Sequence, residues 1–246
     1  MISVCILTKN ASATLRETLE SVRIFDEVIV LDNGSTDDTL QIAEGFPNVK
    51  VHTFPFIGFG PLRNEAAQFA KNDWILVLDS DEVLSPELMA ELKGLQLNPT
   101  QTYSVPRHNY YNNKRIKGCG WGSEQIARLY HRQFAKYSPS QVHERLEATH
   151  VTPLKSPILH TPYRSTADFL AKMQQYSTLF AEQYRGKKRS SFAIALMHAL
   201  FAFFRSYILK RGLFCGREGF LISVYNANTA LYKYLKLAEL NKNRCF

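Results

Sequence analysis

Asp79-Ser80-Asp81 closes the apolar run Trp74 to Leu78. Two carboxylates two residues apart in extended chain project to the same side, and hard oxygen ligands suit Mg²⁺ or Mn²⁺. The competing reading is an acidic loop that caps the next helix. Asp32 also ends an apolar run, Glu27 to Leu31, and heads the turn cluster Asp32-Asn33-Gly34-Ser35. If the two runs are strands of one sheet, Asp32, Asp79 and Asp81 gather at one edge. Like charges crowded there call for a cation or strong donors. A plain turn role for Asp32 stays open, and Asp37 and Asp38 are expected to cap the following helix.

The elements that must position these residues alternate in the first hundred positions. Ile2 to Leu7, Glu27 to Leu31, Val49 to Phe54 and Trp74 to Leu78 have the composition of strands buried on both faces. Between them, Ser12 to Val22, the stretch capped by Ser35 or Thr36, and Arg63 to Lys71 read as helices. Ser85-Pro86-Glu87 supplies a cap, a first-turn proline and an acidic first turn. Such alternation predicts an α/β fold with a doubly wound, mainly parallel sheet, in which ligands bind at the carboxyl ends of the strands. Gly58-Phe59-Gly60 begins like a dinucleotide fingerprint, but Arg63 stands where the third glycine belongs.

From about Gln101 the period changes. Thr102 to Arg107 and Ile126 to His131 read as strands around a glycine-rich loop holding Trp121, which either stacks on a sugar ring or anchors a core. After Ser165 the chain is expected to be helical. A boundary near residue 160 would separate a domain over 1–160 from a helical, basic region over 161–246. The formal charge of +8 divides into −3 over residues 1–150 and +11 over 151–246, which suggests an anionic partner for the second part. The four cysteines lie far apart and Met1 leads directly into a strand-like run, so a reduced, cytoplasmic setting without a secretory leader is expected.

Four segments, Ile6-Leu7-Thr8-Lys9-Asn10, Val30 to Asp37, Arg63-Asn64 and Leu78 to Glu82, have the order and spacing seen in family 2 glycosyltransferases. The chain resembles that family over roughly residues 1 to 95. The resemblance implies a GT-A-like fold with a mixed, mainly parallel sheet, and an inverting, metal-dependent transfer from a UDP-sugar. Val142-His143-Glu144 and the basic C-terminal part with Gly212 and Gly216 further resemble bacterial lipopolysaccharide inner-core β-glucosyltransferases acting on heptose. On that likeness Thr8 and Asn10 would line the nucleotide pocket, and Asp32 would accept from base or ribose. Arg63 would touch the base or a donor phosphate, Asp79 the ribose or metal, and Asp81 would ligate the divalent cation, Mg²⁺ or Mn²⁺.

An inverting transfer also needs a base for the acceptor hydroxyl. Glu144 is the candidate, with His143 as rival base or further metal ligand and Glu124 and Glu147 not excluded. Arg128 either holds acceptor or diphosphate or lies on a solvated face. Two other classes compete: an aspartate-nucleophile phosphatase, which Asp79-x-Asp81 also fits, and a non-catalytic membrane scaffold. Phe192 to Phe204 is 13 residues of apolar sequence between clusters of cations, whereas a bilayer span needs roughly 20. It is expected to dock on the anionic cytoplasmic face of a bacterial inner membrane, near a lipid-linked saccharide acceptor; a core helix is the alternative. Nucleic acid is not an expected partner, because no binding motif accompanies the charge.

Overall fold

The computed structural model describes residues 1–139 and 144–242. Its elements are β1 (Ile2–Thr8), α1 (Leu15–Ser21), β2 (Val28–Asp32), α2 (Thr39–Glu44), β3 (Val49–Thr53), α3 (Phe59–Phe69), β4 (Trp74–Asp79), β5 (Glu82–Leu84), α4 (Pro86–Gly94) and β6 (Thr102–Tyr111). There follow β7 (Lys114–Arg115), β8 (Glu124–His131), β9 (Lys136–Tyr137), β10 (Leu146–Glu147), β11 (Val151–Pro153), β12 (Ile158–His160), α5 (Thr166–Tyr184), α6 (Phe192–Phe204) and α7 (Gly216–Lys242). They form two compact units, one of residues 1–108 and 124–160, the other of 109–123 and 161–246. The glycine-rich loop thus groups with the helices rather than with the flanking strands.

The first unit is built on a mixed sheet in the order β3-β2-β1-β4-β8-β6-β12-β5. The pairs β1–β2, β1–β4 and β2–β3 are parallel, while β8 runs antiparallel to both β4 and β6. Alternate side chains separate into two cores. Val4 and Ile6, Val28 and Val30, and Leu76 and Leu78 join Leu15, Leu19 and Leu88 on one face. Cys5, Ile29, Leu31, Ile75 and Val77 meet Leu62 and Ala66 of α3 on the other. Burial on both faces is why these strands are continuous apolar runs rather than alternating ones.

Register does the positioning. Thr8 pairs with Asp32 and Asp32 with Thr53, so the carboxyl ends of β1, β2 and β3 finish level, while Asp79 at the end of β4 pairs with Leu7, one residue short of them. Ser85 caps α4 as its residue type predicts, its side chain accepting from the Leu88 N–H with Pro86 at the first position. Of the two aspartates expected to cap α2, Asp37 does so and Asp38 does not. Asp38 occupies the cap position without a side-chain bond, and Asp37 Oδ1 accepts from the Thr39 N–H at 3.1 Å instead. Asp37 Oδ2 reaches back to the Ser12 N–H at 3.1 Å, tying the loop after β1 to the loop after β2.

In the second unit α7 packs against α5 and α6. Trp121 stacks on Tyr163 with centroids 5.5 Å apart and joins a core of Phe169, Cys215 and Ile222. It anchors this core, so of the two sequence readings the structure favours the structural one. α6 spans Phe192–Phe204, the run singled out by its apolarity.

Candidate functional site

Two loops frame the sheet edge. Asp32 is buried and all its acceptor positions are used: Oδ2 takes the N–H groups of Gly34 and Ser35, both at 2.9 Å, and Oδ1 takes the Thr8 hydroxyl at 3.2 Å and that of Ser35. Burial alone would raise its pKa, but the donors from Ser35, Gly34 and Thr8 outweigh burial and hold it below the usual carboxylate value. Asp32 therefore fixes the shape of its turn. Asn10, in the left-handed region at φ 50°, locks the neighbouring loop to it. Its N–H donates to Ser35 Oγ and its Oδ1 accepts from the Thr36 N–H, both at 2.8 Å.

Asp79 and Asp81 do not project together as an extended chain would place them. Asp79 is the last residue of β4, Ser80 and Asp81 form a tight turn, and the chain re-enters the sheet at once as β5. The turn is pinned by the Thr18 hydroxyl on the Ser80 carbonyl at 3.1 Å and by Glu82 Oε2 on the Asp79 N–H at 3.0 Å. Asp81 Oδ2 faces His160 Nε2 at 3.4 Å. Asp79 instead receives Arg63 Nη2 on Oδ1 at 2.6 Å and Arg128 Nη2 on Oδ2 at 2.7 Å.

These bonds belong to a longer series of alternating charges. Arg63 Nε also donates to Glu144 Oε1 at 3.0 Å, across 81 residues of sequence. Arg128 Nη2 bonds both oxygens of Glu82 at 2.7 and 2.8 Å. Arg107 links Glu82 at 3.6 Å to Glu124 at 3.0 Å. The order is Glu124, Arg107, Glu82, Arg128, Asp79, Arg63, Glu144, and Glu82, Arg63 and Arg128 are almost fully buried. Burial works against ionising Asp79, yet Arg128 and Arg63 together hold its pKa far below the ordinary range. Paired buried charges of this kind persist because removing one partner strands another.

Arg63, Asp79, Arg107, Arg128, Tyr137 and Glu144 line a cavity of about 500 Å³. Arg63 also lies over the Tyr137 ring, 5.4 Å from its centroid. Arg63 Nη1, Arg107 Nε and Arg128 Nε are buried with no hydrogen-bond partner among the described residues. Orphaned charged donors are costly in a finished protein interior and mark a place where an oxygen-rich ligand has work to do.

The structure thus brings Thr8, Asn10 and Asp32 together at one edge, and Arg63, Asp79 and Glu144 around the cavity. His143 lies outside the described residues. Glu147 sits in β10, exposed, paired in register with Lys136, and Glu124 ends the charge series, largely exposed. Sequence reasoning missed Glu82, Arg107 and His160. A glutamate opening an apolar strand, Glu82-Val83-Leu84, was the available signal for the first. Nothing local marked the other two.

Among the described residues no cluster of three or more His, Cys, Asp or Glu side chains could hold a metal by itself. Asp81 beside His160 offers two ligands and leaves most of a coordination shell open. That donor set fits a divalent cation completed by substrate phosphate oxygens.

Residues 3–148 match the sequence profile of Glycosyl transferase family 2. An uncharacterized glycosyltransferase of Rickettsia bellii is 31% identical over 98% of this chain and 87% of its own length. The lipopolysaccharide core biosynthesis glycosyltransferase LpsC of Rhizobium meliloti is 27% identical over 97% of this chain and 91% of its own. Among solved structures, S. aureus TarS 1–349 in complex with UDP-GlcNAc shares the fold, at TM-score 0.51 and 14% identity over 99% of this chain and 91% of that one. The sheet and its flanking helices are accordingly of the GT-A type, with the helical region added after them. The chain is a glycosyltransferase and belongs to Glycosyl transferase family 2.

Proposed function

We propose that the protein is an inverting hexosyltransferase that moves a sugar, glucose by the resemblance of its motifs, from a UDP-sugar to a lipid-linked saccharide of the lipopolysaccharide inner core. The work would take place on the cytoplasmic face of the bacterial inner membrane. The observation that carries this reading is that the adjacent strand ends bring Thr8, Asp32 and Asp79 to one edge of the sheet, where Asp79 also lines a cavity containing Glu144. The likeness to LpsC supports the acceptor class, and the UDP-GlcNAc bound by TarS supports the donor class.

On this reading the loops at Thr8–Asn10 and Asp32–Ser35 hold the nucleotide, and Asp81 with His160 would hold a divalent cation. When bound, that cation supplies Lewis-acid neutralisation of the leaving group. The acceptor occupies the cavity, where alternating carboxylates and guanidiniums match hydroxyls that both donate and accept. Glu144 removes the proton as the acceptor oxygen bonds to C1 and the bond from C1 to the phosphate oxygen breaks, with the electron pair leaving on UDP. Arg63 orients Glu144 through the 3.0 Å bond to Oε1.

The phosphatase alternative loses its nucleophile, since guanidiniums cover both oxygens of Asp79. Glu144→Gln is expected to keep UDP-sugar affinity within about twofold and to lower turnover on the order of 10²–10⁴-fold, the usual worth of a general base. Calorimetry and a UDP-release assay read the two separately. Unaltered turnover would move the base to another group and take the cavity out of the reaction.

A further inference from the structure

The helical unit carries an apolar face that its own packing leaves uncovered. α6 buries Ala195 and Ala199 and stacks His198 on Tyr234 of α7, with centroids 3.8 Å apart and planes 3° from parallel. The opposite side presents its largest side chains to solvent. Phe192, Met197, Leu200, Phe201, Leu209 and Phe214 are each between 57% and 80% exposed. A soluble monomer rarely displays so many large apolar groups side by side.

The face is held in place rather than loosely attached. After α6 a single π-turn over Arg205–Leu209 buries Ser206, which accepts from Asn226 Nδ2 and from the Ser223 hydroxyl, both at 3.0 Å. Gly212 and Gly219 allow the next turn to sit against α7. A Cβ on Gly219 would fall 2.0 Å from the Gly212 carbonyl oxygen, and one on Gly212 2.7 Å from Cys119 Sγ. Backbone packing this close fixes a turn that leaves Leu213 and Phe214 exposed. Gly216, at φ +65°, lets the chain turn directly into α7.

Charge indicates what covers the face. Residues 183–217 contain eight Lys and Arg and no Asp or Glu. Lys187, Lys188 and Arg189 precede α6, while Arg205, Lys210 and Arg211 follow it, and all six are exposed. An apolar stripe bordered at both ends by cations alone complements an anionic lipid surface. It is poorly suited to pairing with a second copy of itself, which would oppose two sets of like charges.

Lying flat also fits the dimensions better than crossing. The apolar stretch Phe192–Leu209 is 18 residues with mean hydropathy 1.7, long enough on its own to be considered for a span. Yet its inner side is packed on α7, which carries Arg217, Lys233, Lys236 and Glu239. Crossing would either strip α6 from α7 or take those charges into hydrocarbon.

We infer that α6 and the two turns after it form an interfacial docking surface for an anionic phospholipid bilayer. Phe192, Leu200, Phe201 and Phe214 enter the acyl boundary, and the flanking cations contact headgroup phosphates. This deepens the proposed function, because it names the surface that would deliver the enzyme to a lipid-linked acceptor. The test contains neither donor nor acceptor, so its failure is separate from a failure of the transfer chemistry.

The test is flotation of the full chain with vesicles of phosphatidylcholine alone or with added phosphatidylglycerol, at two salt concentrations. Binding is expected only with phosphatidylglycerol, and it should weaken at least tenfold at high salt. Phe201→Ser with Phe214→Ser should reduce binding at least tenfold while leaving the melting temperature unchanged or raised, since both side chains are already in water. Lys187→Ser, Lys188→Ser and Arg189→Ser together should reduce the salt dependence. Binding that ignores lipid charge overturns the proposal. So does a stable dimer that the Phe201→Ser, Phe214→Ser variant converts to monomer, and so does retention after alkaline carbonate washing, which would mean a span.

Discussion

Asp81→Ala is expected to lower turnover on the order of 10³-fold and to abolish the dependence of UDP affinity on Mg²⁺ or Mn²⁺. The magnitude follows from several kcal/mol of charge neutralisation at the departing diphosphate, each 1.36 kcal/mol being about tenfold in rate. The site of the effect follows from geometry. Asp79 is saturated by two arginines, whereas Asp81 Oδ2 faces His160 Nε2 at 3.4 Å. Folding should hardly change, because Asp81 lies in a turn fixed by Thr18 and Glu82 rather than by its own side chain. Calorimetry of UDP with and without cation, beside a UDP-release assay, checks both parts. Metal-dependent binding that survives in the variant would place the cation elsewhere. A chain that acted only as a membrane scaffold would keep its function in this variant.

Arg128→Met should destabilise the protein by about 3–5 kcal/mol, the usual cost of removing one member of a buried ion pair. Glu82, fully buried, loses its bidentate partner, and Asp79 loses one of two guanidiniums. The effect has a pH signature whose sign is fixed. The folded-state pKa of Asp79 is lowered, so its contribution is present above the unfolded carboxylate value of about 4 and is lost as acid protonates it. The wild-type advantage over the variant should therefore shrink as pH falls below about 4. Denaturant titrations at neutral and acid pH test this. An unchanged midpoint at neutral pH would show that the charge series contributes nothing to the fold.

Much of the parallel half was legible because its signals are local. Apolar runs such as Val28 to Leu31 are buried on both faces, and the Ser85-Pro86-Glu87 cap announces α4. The limits of α6 coincide with the apolar run itself. What escaped depends on contacts between distant positions. β5 is three residues long and follows β4 after a two-residue turn, so it merged with the acidic loop and hid Glu82. Arg63 was expected to touch the base or a donor phosphate, but its partner Glu144 lies 81 residues later in the chain, a pairing that no local pattern announces. Residues 109–123 looked like a loop between strands of the first domain. Their aromatic and cysteine side chains belong to the core of the helical unit instead.

The claim that this fold is a metal-assisted UDP-sugar site is most directly tested by thermal denaturation with UDP, GDP or CMP, each with and without Mn²⁺. A ligand that binds only the native state raises the melting temperature by mass action, by an amount set by its concentration over Kd. UDP with Mn²⁺ should give the largest rise, UDP alone a smaller one, and GDP and CMP little. Folded protein that shifts with none of the three, or as much with GDP as with UDP, would contradict the account.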